Sequence, residues 1–201
     1  TERHRLIIGS ICDTLLRLRM PYEPVFIRSD RRFADDLKQK YTGLLFLQDL
    51  THNDQILELD AAGVPLVIAA LETDLPVNCT TVDRAATTIK AVETLIALGH
   101  RKIALTSVDT TRYFYPQAKQ AFLSALALHG IEPRPEYIAE APRSGDVLAH
   151  YFRARALLNL KDPPTAIVAG RDYQAQAVCA AAAEAGLAIG RDLSVIGYDD
   201  M

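Results

Sequence analysis

Apolar positions along this chain fall into helical and extended patterns that alternate. Ile7, Ile11, Leu15 and Leu18 recur at helical spacing until Pro21 breaks the run. The short apolar stretch Pro24-Val25-Phe26-Ile27 predicts a strand. A polar helix is expected over about 31–40, followed by Gly43-Leu44-Leu45-Phe46-Leu47, a strand buried on both faces. A helix over about 52–62 ends at Gly63 and leads to the strand Pro65-Leu66-Val67-Ile68-Ala69. An extended piece from Asn78 to Val82 then precedes a helix carrying Ala85, Ile89, Val92, Leu95 and Ile96.

After Gly99 the alternation starts again. Strand Lys102–Thr106 leads to a helix with Ala118, Phe122, Ala125 and Leu126, and strand Tyr137–Ala141 to one with Val147, Tyr151, Ala154 and Leu158. Strand Thr165–Ala169 leads to an Ala-rich helix over about 173–185, and Leu193–Gly197 is the last strand. Gly63, Gly99, Gly130 and Gly186 each follow a predicted helix, where a left-handed cap favours glycine. Near-continuous apolar strands joined by helices imply parallel sheets covered on both faces. The expected fold is therefore α/β with two lobes, residues 1–100 and 101–201, and a crossover near His100–Arg101. Ligands of such sheets bind beyond the carboxyl ends of the strands, so two facing lobes would enclose a cleft.

Composition narrows the function. With 201 residues, 49% hydrophobic and 23% charged, the chain is globular rather than disordered or coiled coil. Its 22 Lys+Arg against 25 Asp+Glu, net charge -3, argue against nucleic-acid binding through overall charge. No run approaches the roughly 18 apolar residues of a membrane span, and Thr1-Glu2-Arg3-His4-Arg5 does not open a secretory leader. Cys12, Cys79 and Cys179 are widely spaced, form no Cys-x-x-Cys pair and sit in apolar or Ala-rich contexts. They read as buried packing residues in a reducing, cytoplasmic compartment.

Catalytic signatures are missing. The chain has no phosphate-binding G-x-x-x-x-G-K-[ST], no G-x-G-x-x-G after a strand, no G-x-S-x-G and no H-E-x-x-H. The five histidines, at 4, 52, 100, 129 and 150, lack metal-ligand spacing and read as surface or cap residues. No enzyme activity, metal or cofactor is expected.

Specific stretches point further. Val82-Asp83 with the helix ending Leu95-Ile96-Ala97-Leu98-Gly99-His100-Arg101-Lys102-Ile103-Ala104, and the ending Asp192-Leu193-Ser194-Val195-Ile196-Gly197-Tyr198-Asp199-Asp200, carry a joint signal. Pro164-Thr165-Ala166-Ile167-Val168 with Arg171-Asp172, and Gly63-Val64-Pro65-Leu66-Val67, fall between and before them in the right order. Together they resemble the effector-binding core of lactose-repressor/galactose-repressor (LacI/GalR) family transcription regulators. The resemblance implies two Rossmann-like lobes of the periplasmic-binding-protein-like, type I fold, truncated at both ends. It also implies a small-molecule effector in the cleft and a dimer that binds operator DNA through a helix-turn-helix headpiece outside this chain. Homodimer contacts are implied through the first helix, around Ile7, Ile11 and Leu15, and the Ala-rich helix Ala175–Ala185. Packing of that Ala-rich helix within its own lobe is the other reading.

The loops after strands supply the candidate effector contacts. Arg112, Arg143, Arg171 and Asp199 follow the four strands of the second lobe, and Gln48 follows a strand of the first. By the resemblance, Asp199 accepts hydrogen bonds from effector hydroxyls; capping of a following helix is its other possible role. Arg171 stands where the family usually has Asn, Ala118 where it usually has Arg, and Ala86 at an often polar position. These departures, with three arginines near helix starts, favour an anionic effector such as a sugar acid or sugar phosphate over a neutral sugar. Asp83 reads as a helix cap before Ala85. A periplasmic-type sugar-binding protein of a transporter is the alternative, since it shares the two-lobed architecture.

Overall fold

The computed structural model describes residues 2–27, 32–47, 52–69, 73, 75–109, 114–142 and 147–198. The chain divides into two compact units, Thr1–Val82 and Asp83–Met201.

The first unit contains helices α1 (Glu2–Arg17), α2 (Ala34–Lys40) and α3 (Asn53–Ala61) with strands β1 (Leu44–Leu47), β2 (Leu66–Ala69) and β3 (Cys79–Thr80). The strands form a parallel sheet in the order β1-β2-β3, with Leu44 opposite Leu66 and Leu47 opposite Ala69. Phe33, Ala34, Leu37, Phe46, Ile56, Leu59, Leu66 and Ile68 are its core. The start of α2 is capped from a distance. Phe33 offers no capping side chain, and Gln55 Oε1 on α3 accepts from the N–H of Phe33 at 2.7 Å and of Ala34 at 3.2 Å. Pro24–Ile27, expected as a strand, is irregular, and Phe26 is 93% exposed. The segment pairs with no strand among the described residues, and an extended run without a partner leaves its backbone to solvent. The Ile7, Ile11 and Leu15 stripe of α1 is only half-buried.

The second unit contains α4 (Arg84–Ala97), β4 (Ile103–Asp109), α5 (Phe114–Leu128), a 3-10 turn at Pro135–Tyr137, β5 (Ile138–Pro142), α6 (Val147–Leu158), β6 (Ala166–Ala169), α7 (Asp172–Glu184) and β7 (Ser194–Ile196). Its four strands are all parallel, in the order β5-β4-β6-β7. Side chains alternate across the sheet, so each strand feeds two cores. On one face Ile103, Leu105, Ala166 and Val168 pack against Ala91, Val92 and Leu95 of α4 and Phe122, Ala125 and Leu126 of α5. On the other, Ala104, Ala139 and Ile167 pack against Ala154 and Leu157 of α6 and Val178, Ala181 and Ala182 of α7.

Helix α4 thus belongs to the second unit. The two units divide at Val82–Asp83, and the crossover expected near His100–Arg101 follows the end of α4. The apolar stripe of α4 matches the β4–β6 face, a pairing that its position in the chain does not reveal. Asp83 caps the helix as expected, its Oδ1 accepting from the N–H of Ala86 at 2.8 Å. Gly63, Gly99, Gly130 and Gly186 all have positive φ, in keeping with their expected cap positions.

Two residue types depart from expectation. His150 is 2% exposed rather than on the surface, its ring edge-on to Tyr173 at 5.3 Å. Cys79 is exposed, while Cys12 and Cys179 are half-buried. His100 works at the amino edge of the sheet. Its Nδ1 lies 2.9 Å from Thr165 Oγ1 and its Nε2 lies 2.9 Å from Ser194 Oγ, joining the end of α4 to the starts of β6 and β7. Replacing His100 with Ala removes both bonds, and urea unfolding is expected to show a loss of about 1–3 kcal/mol.

The turn before β7 is held by Asp192, which accepts from Arg191 at 2.7 Å and from the N–H of Ala188 at 2.9 Å. These two partners, Arg191 first, hold the Asp192 carboxyl down at about 2. A lowered carboxylate pKa stabilises the fold above its unfolded value and loses that contribution as pH falls through the folded one. Relative to unstructured amides at the same pH, protection of the amides around 188–193 is therefore expected to fall between pH about 4 and about 2 in the wild type, and to be flat over that range in Asp192→Asn, which lacks the titrating group.

Candidate functional site

The order β5-β4-β6-β7 contains a switch point. From β4 the chain passes through α5 on one face of the sheet, and from β6 through α7 on the other. Connections that diverge from adjacent parallel strands leave a crevice beyond their carboxyl ends, where ligands of open α/β sheets bind.

Gly170 and Arg171 join β6 to α7 at this point. Arg171 is the extended N-cap residue of α7, half-buried, with φ -157° and ψ 160°. Its carbonyl accepts the first helical bonds, from the N–H groups of Gln174 and Ala175, both at 3.0 Å. The helix therefore presents its amino end beside this guanidinium, and both favour an anion. Asp172 opens the helix, and its N–H donates to the carbonyl of Tyr198 at 2.8 Å, tying α7 to the segment after β7.

Gly197 lies in that segment for a steric reason. A Cβ there would run into Asp172 Oδ1 and approach the Cβ of Ala175 to 3.2 Å. Gly197→Ala is expected to cost about 1–3 kcal/mol in denaturant unfolding by forcing α7 away from the strand end.

The structure adds a cation that the sequence reading passed over. Arg84, in the first turn of α4, is 9% exposed. Its Nη1 donates to the carbonyl of Gly170 at 3.5 Å, and its guanidinium lies 5.4 Å from the centre of the Tyr198 ring. The Tyr198 hydroxyl donates to Thr87 Oγ1 at 2.5 Å and lies 3.3 Å from Thr88 Oγ1. Arg84, Tyr198 and Gly170 thus gather residues from three separate stretches next to Arg171. Sequence offered one faint signal, a charged residue directly after the capping Asp83; its burial depends on α4 lying over the ends of β6 and β7.

Of the expected effector contacts, Arg171 stands at this edge. Gln48, Arg112, Arg143 and Asp199 lie outside the described residues. In sequence, Gln48 and Arg143 directly follow Leu47 and Pro142, the last residues of β1 and β5. Among the described residues no cluster of His, Cys, Asp and Glu could hold a metal ion.

Residues 92–201 match the periplasmic binding protein-like domain family. The chain belongs to that family. It is similar to the HTH-type transcriptional regulator RafR of Escherichia coli, with 30% identity over 166 residues, 81% of this chain and 48% of the regulator. Among solved structures, a regulatory protein of the LacI family from Chloroflexus aggregans shares 27% identity at a TM-score of 0.76, over 90% of this chain and 66% of that one. The transcriptional regulator CelR in complex with cellobiose shares 25% identity at a TM-score of 0.67, over 84% of this chain and 52% of that one. The chain spans about half the length of the curated relatives it matches. These relatives are transcriptional regulators, so the LacI-type resemblance read from the sequence is borne out and the transporter alternative is disfavoured. Among the described residues no helix is long and apolar enough to cross a membrane.

Proposed function

We propose that this chain is the effector-sensing part of a cytoplasmic DNA-binding transcriptional regulator, without enzyme activity, and that its effector is an anionic sugar derivative, a sugar acid or a sugar phosphate. The single observation that carries the ligand class is Arg171 at the amino end of α7, on the switch-point edge of the second sheet. Buried Arg84 beside it adds positive charge to the same edge. Arg112 and Arg143 are the proposed further cationic contacts, Asp199 the acceptor for effector hydroxyls, and Gln48 a further polar contact. Cellobiose in the CelR complex supports a carbohydrate as the general class.

Effector binding acts by differential affinity. A ligand that prefers one arrangement of the protein shifts the population towards it by no more than that preference. In the whole regulator operator binding belongs to a separate DNA-binding part, so the effector changes DNA affinity only through that shift. The regulator works as a homodimer through α1 and α7. In support, α1 leaves Leu6 and Leu16 more than 60% exposed, and α6 exposes Leu148 and Phe152 beside α7.

The experiment is calorimetric titration of the wild type and Arg171→Ala with sugar acids, sugar phosphates and the parent neutral sugars. Tight binding of an anionic member, weakened tenfold or more by Arg171→Ala, is expected. Equal affinity of both proteins for charged and neutral sugars would refute the anionic reading. Sedimentation showing only monomer at micromolar concentration would refute the dimer.

A further inference from the structure

The carboxyl edge of the second sheet also buries polar atoms that ligand binding at Arg171 does not use. Thr106 of β4 is 2% exposed and Gln174 of α7 is fully buried. Neither Thr106 Oγ1 nor the Gln174 amide oxygen and nitrogen has a hydrogen-bond partner among the described residues.

The three atoms lie in one layer. Thr106 follows Ala104 by two positions along β4, so it points to the face covered by α6 and α7. Gln174 precedes Val178 and Ala181 by one and two helical turns, and both of those residues are buried on the same face. Gly170 brings the pair together. A Cβ at Gly170 would lie 3.0 Å from Gln174 Oε1 and 3.4 Å from the carbonyl oxygen of Thr106. The Gln174 amide therefore reaches across the end of β6 towards β4, and glycine at 170 makes room for it. His150, one helical turn before Ala154 on α6, is buried with its ring against Tyr173 of α7.

Native cores do not leave such groups unsatisfied. They pair them within the protein or with ordered water. An apolar core would fill these positions with Val and Met or Leu, and the polar choice at both points to a shared partner from outside the chain. All three atoms are buried from solvent. That burial excludes a sugar-sized ligand, so the partner that would satisfy them is small, a single water.

We propose that Thr106 and Gln174 form an internal hydration site, holding one ordered water between β4 and the first turn of α7, and that Gln174 is thereby a positioning residue for Arg171. The water accepts from the Gln174 amide and donates to its neighbours, so the first turn of α7 is fastened to the central strand. The peptide groups that carry Arg171 and Asp172 inherit that fixed geometry. The use of Arg171 as a ligand contact rests on the function proposed above; the water site does not.

The test is made on the ligand-free intact chain, so its failure is distinct from failure of the effector assignment. In the wild type, the side-chain NH2 of Gln174 is expected to show magnetisation transfer with a bound water in NMR, retained in Thr106→Ser and lost in Thr106→Val. Absence of that transfer in the wild type overturns the site. Thr106→Val and Gln174→Met are each expected to lower the unfolding midpoint, and the double variant by clearly less than the sum, because the water is lost once. Strictly additive shifts overturn a shared water. In Gln174→Met, exchange of the Gln174-position and Ala175 amides, which bond to the Arg171 carbonyl, is expected to accelerate at least tenfold while Ala181–Glu184 stay unchanged. Unaltered exchange in the first turn overturns the positioning role.

Discussion

A fragment starting at Asp83 is expected to fold cooperatively by itself, and one starting at Arg101 is expected to lose cooperative unfolding. The two differ by α4 and His100. In the intact chain Ala91, Val92 and Leu95 of α4 are 8%, 0% and 1% exposed, with Ile89 and Ile96 packed at the margin. Burying a Val or Leu side chain is worth about 1.5–3 kcal/mol, against a typical total stability of about 5–15 kcal/mol for a whole domain. Removing Val92 and Leu95 together with Ala91 and the partly buried Ile89 and Ile96 takes away much of that margin and also bares Ile103 and Leu105 on the sheet face and Phe122 of α5. Far- and near-ultraviolet circular dichroism with urea titration compares the fragments. Sigmoidal unfolding of the 101–201 fragment with the same slope as the 83–201 fragment would show that α4 is not part of this core.

Phe122→Ala is expected to lower the stability of the second unit by about 3–5 kcal/mol and to leave the first unit almost untouched. Phe122 is 1% exposed on α5 and packs in one cluster with residues of α4, β4 and β6. The first unit has a separate core around Phe46, Ile56, Leu59 and Ile68. Residue-resolved hydrogen exchange should therefore show faster opening for the amides of β4 and β6 and little change in β1 and β2. In calorimetry the second unit's transition should fall by roughly 10 °C or more. A uniform change across both units would mean that they share one cooperative core.

Much of this architecture can be read from the residues. Near-continuous apolar runs announced parallel strands, and Ala166–Ala169 is buried throughout as a sheet covered on both faces requires. Leu44–Leu47 also pairs as a parallel strand, but Leu45 is 47% exposed, so the expected burial on both faces does not hold there. The signature around Gly197 and Tyr198 was legible as a resemblance, and the structure supplies its physical content. Gly197 leaves room for Asp172, and Tyr198 bonds to Thr87 of α4. Pro24–Ile27 was misread because apolar content says that a segment suits a sheet, not that a neighbour is there to pair with it. His150 was misread because a titratable residue type carries a surface prior that tertiary packing overrides.

By itself, then, the sequence determined the alternation of helix and strand, the glycine caps, the Asp83 cap and the class of fold, all of which depend on contacts within a few residues or on side-chain periodicity. Only the tertiary structure decided that α4 packs with the second unit, that Gln55 caps a helix some twenty residues away in the chain, and that Arg84 is buried beside Arg171. It also set the strand order β5-β4-β6-β7, and with it the crevice where Arg171 stands. These features depend on which apolar faces meet, a competition among many distant pairings that local pattern does not rank.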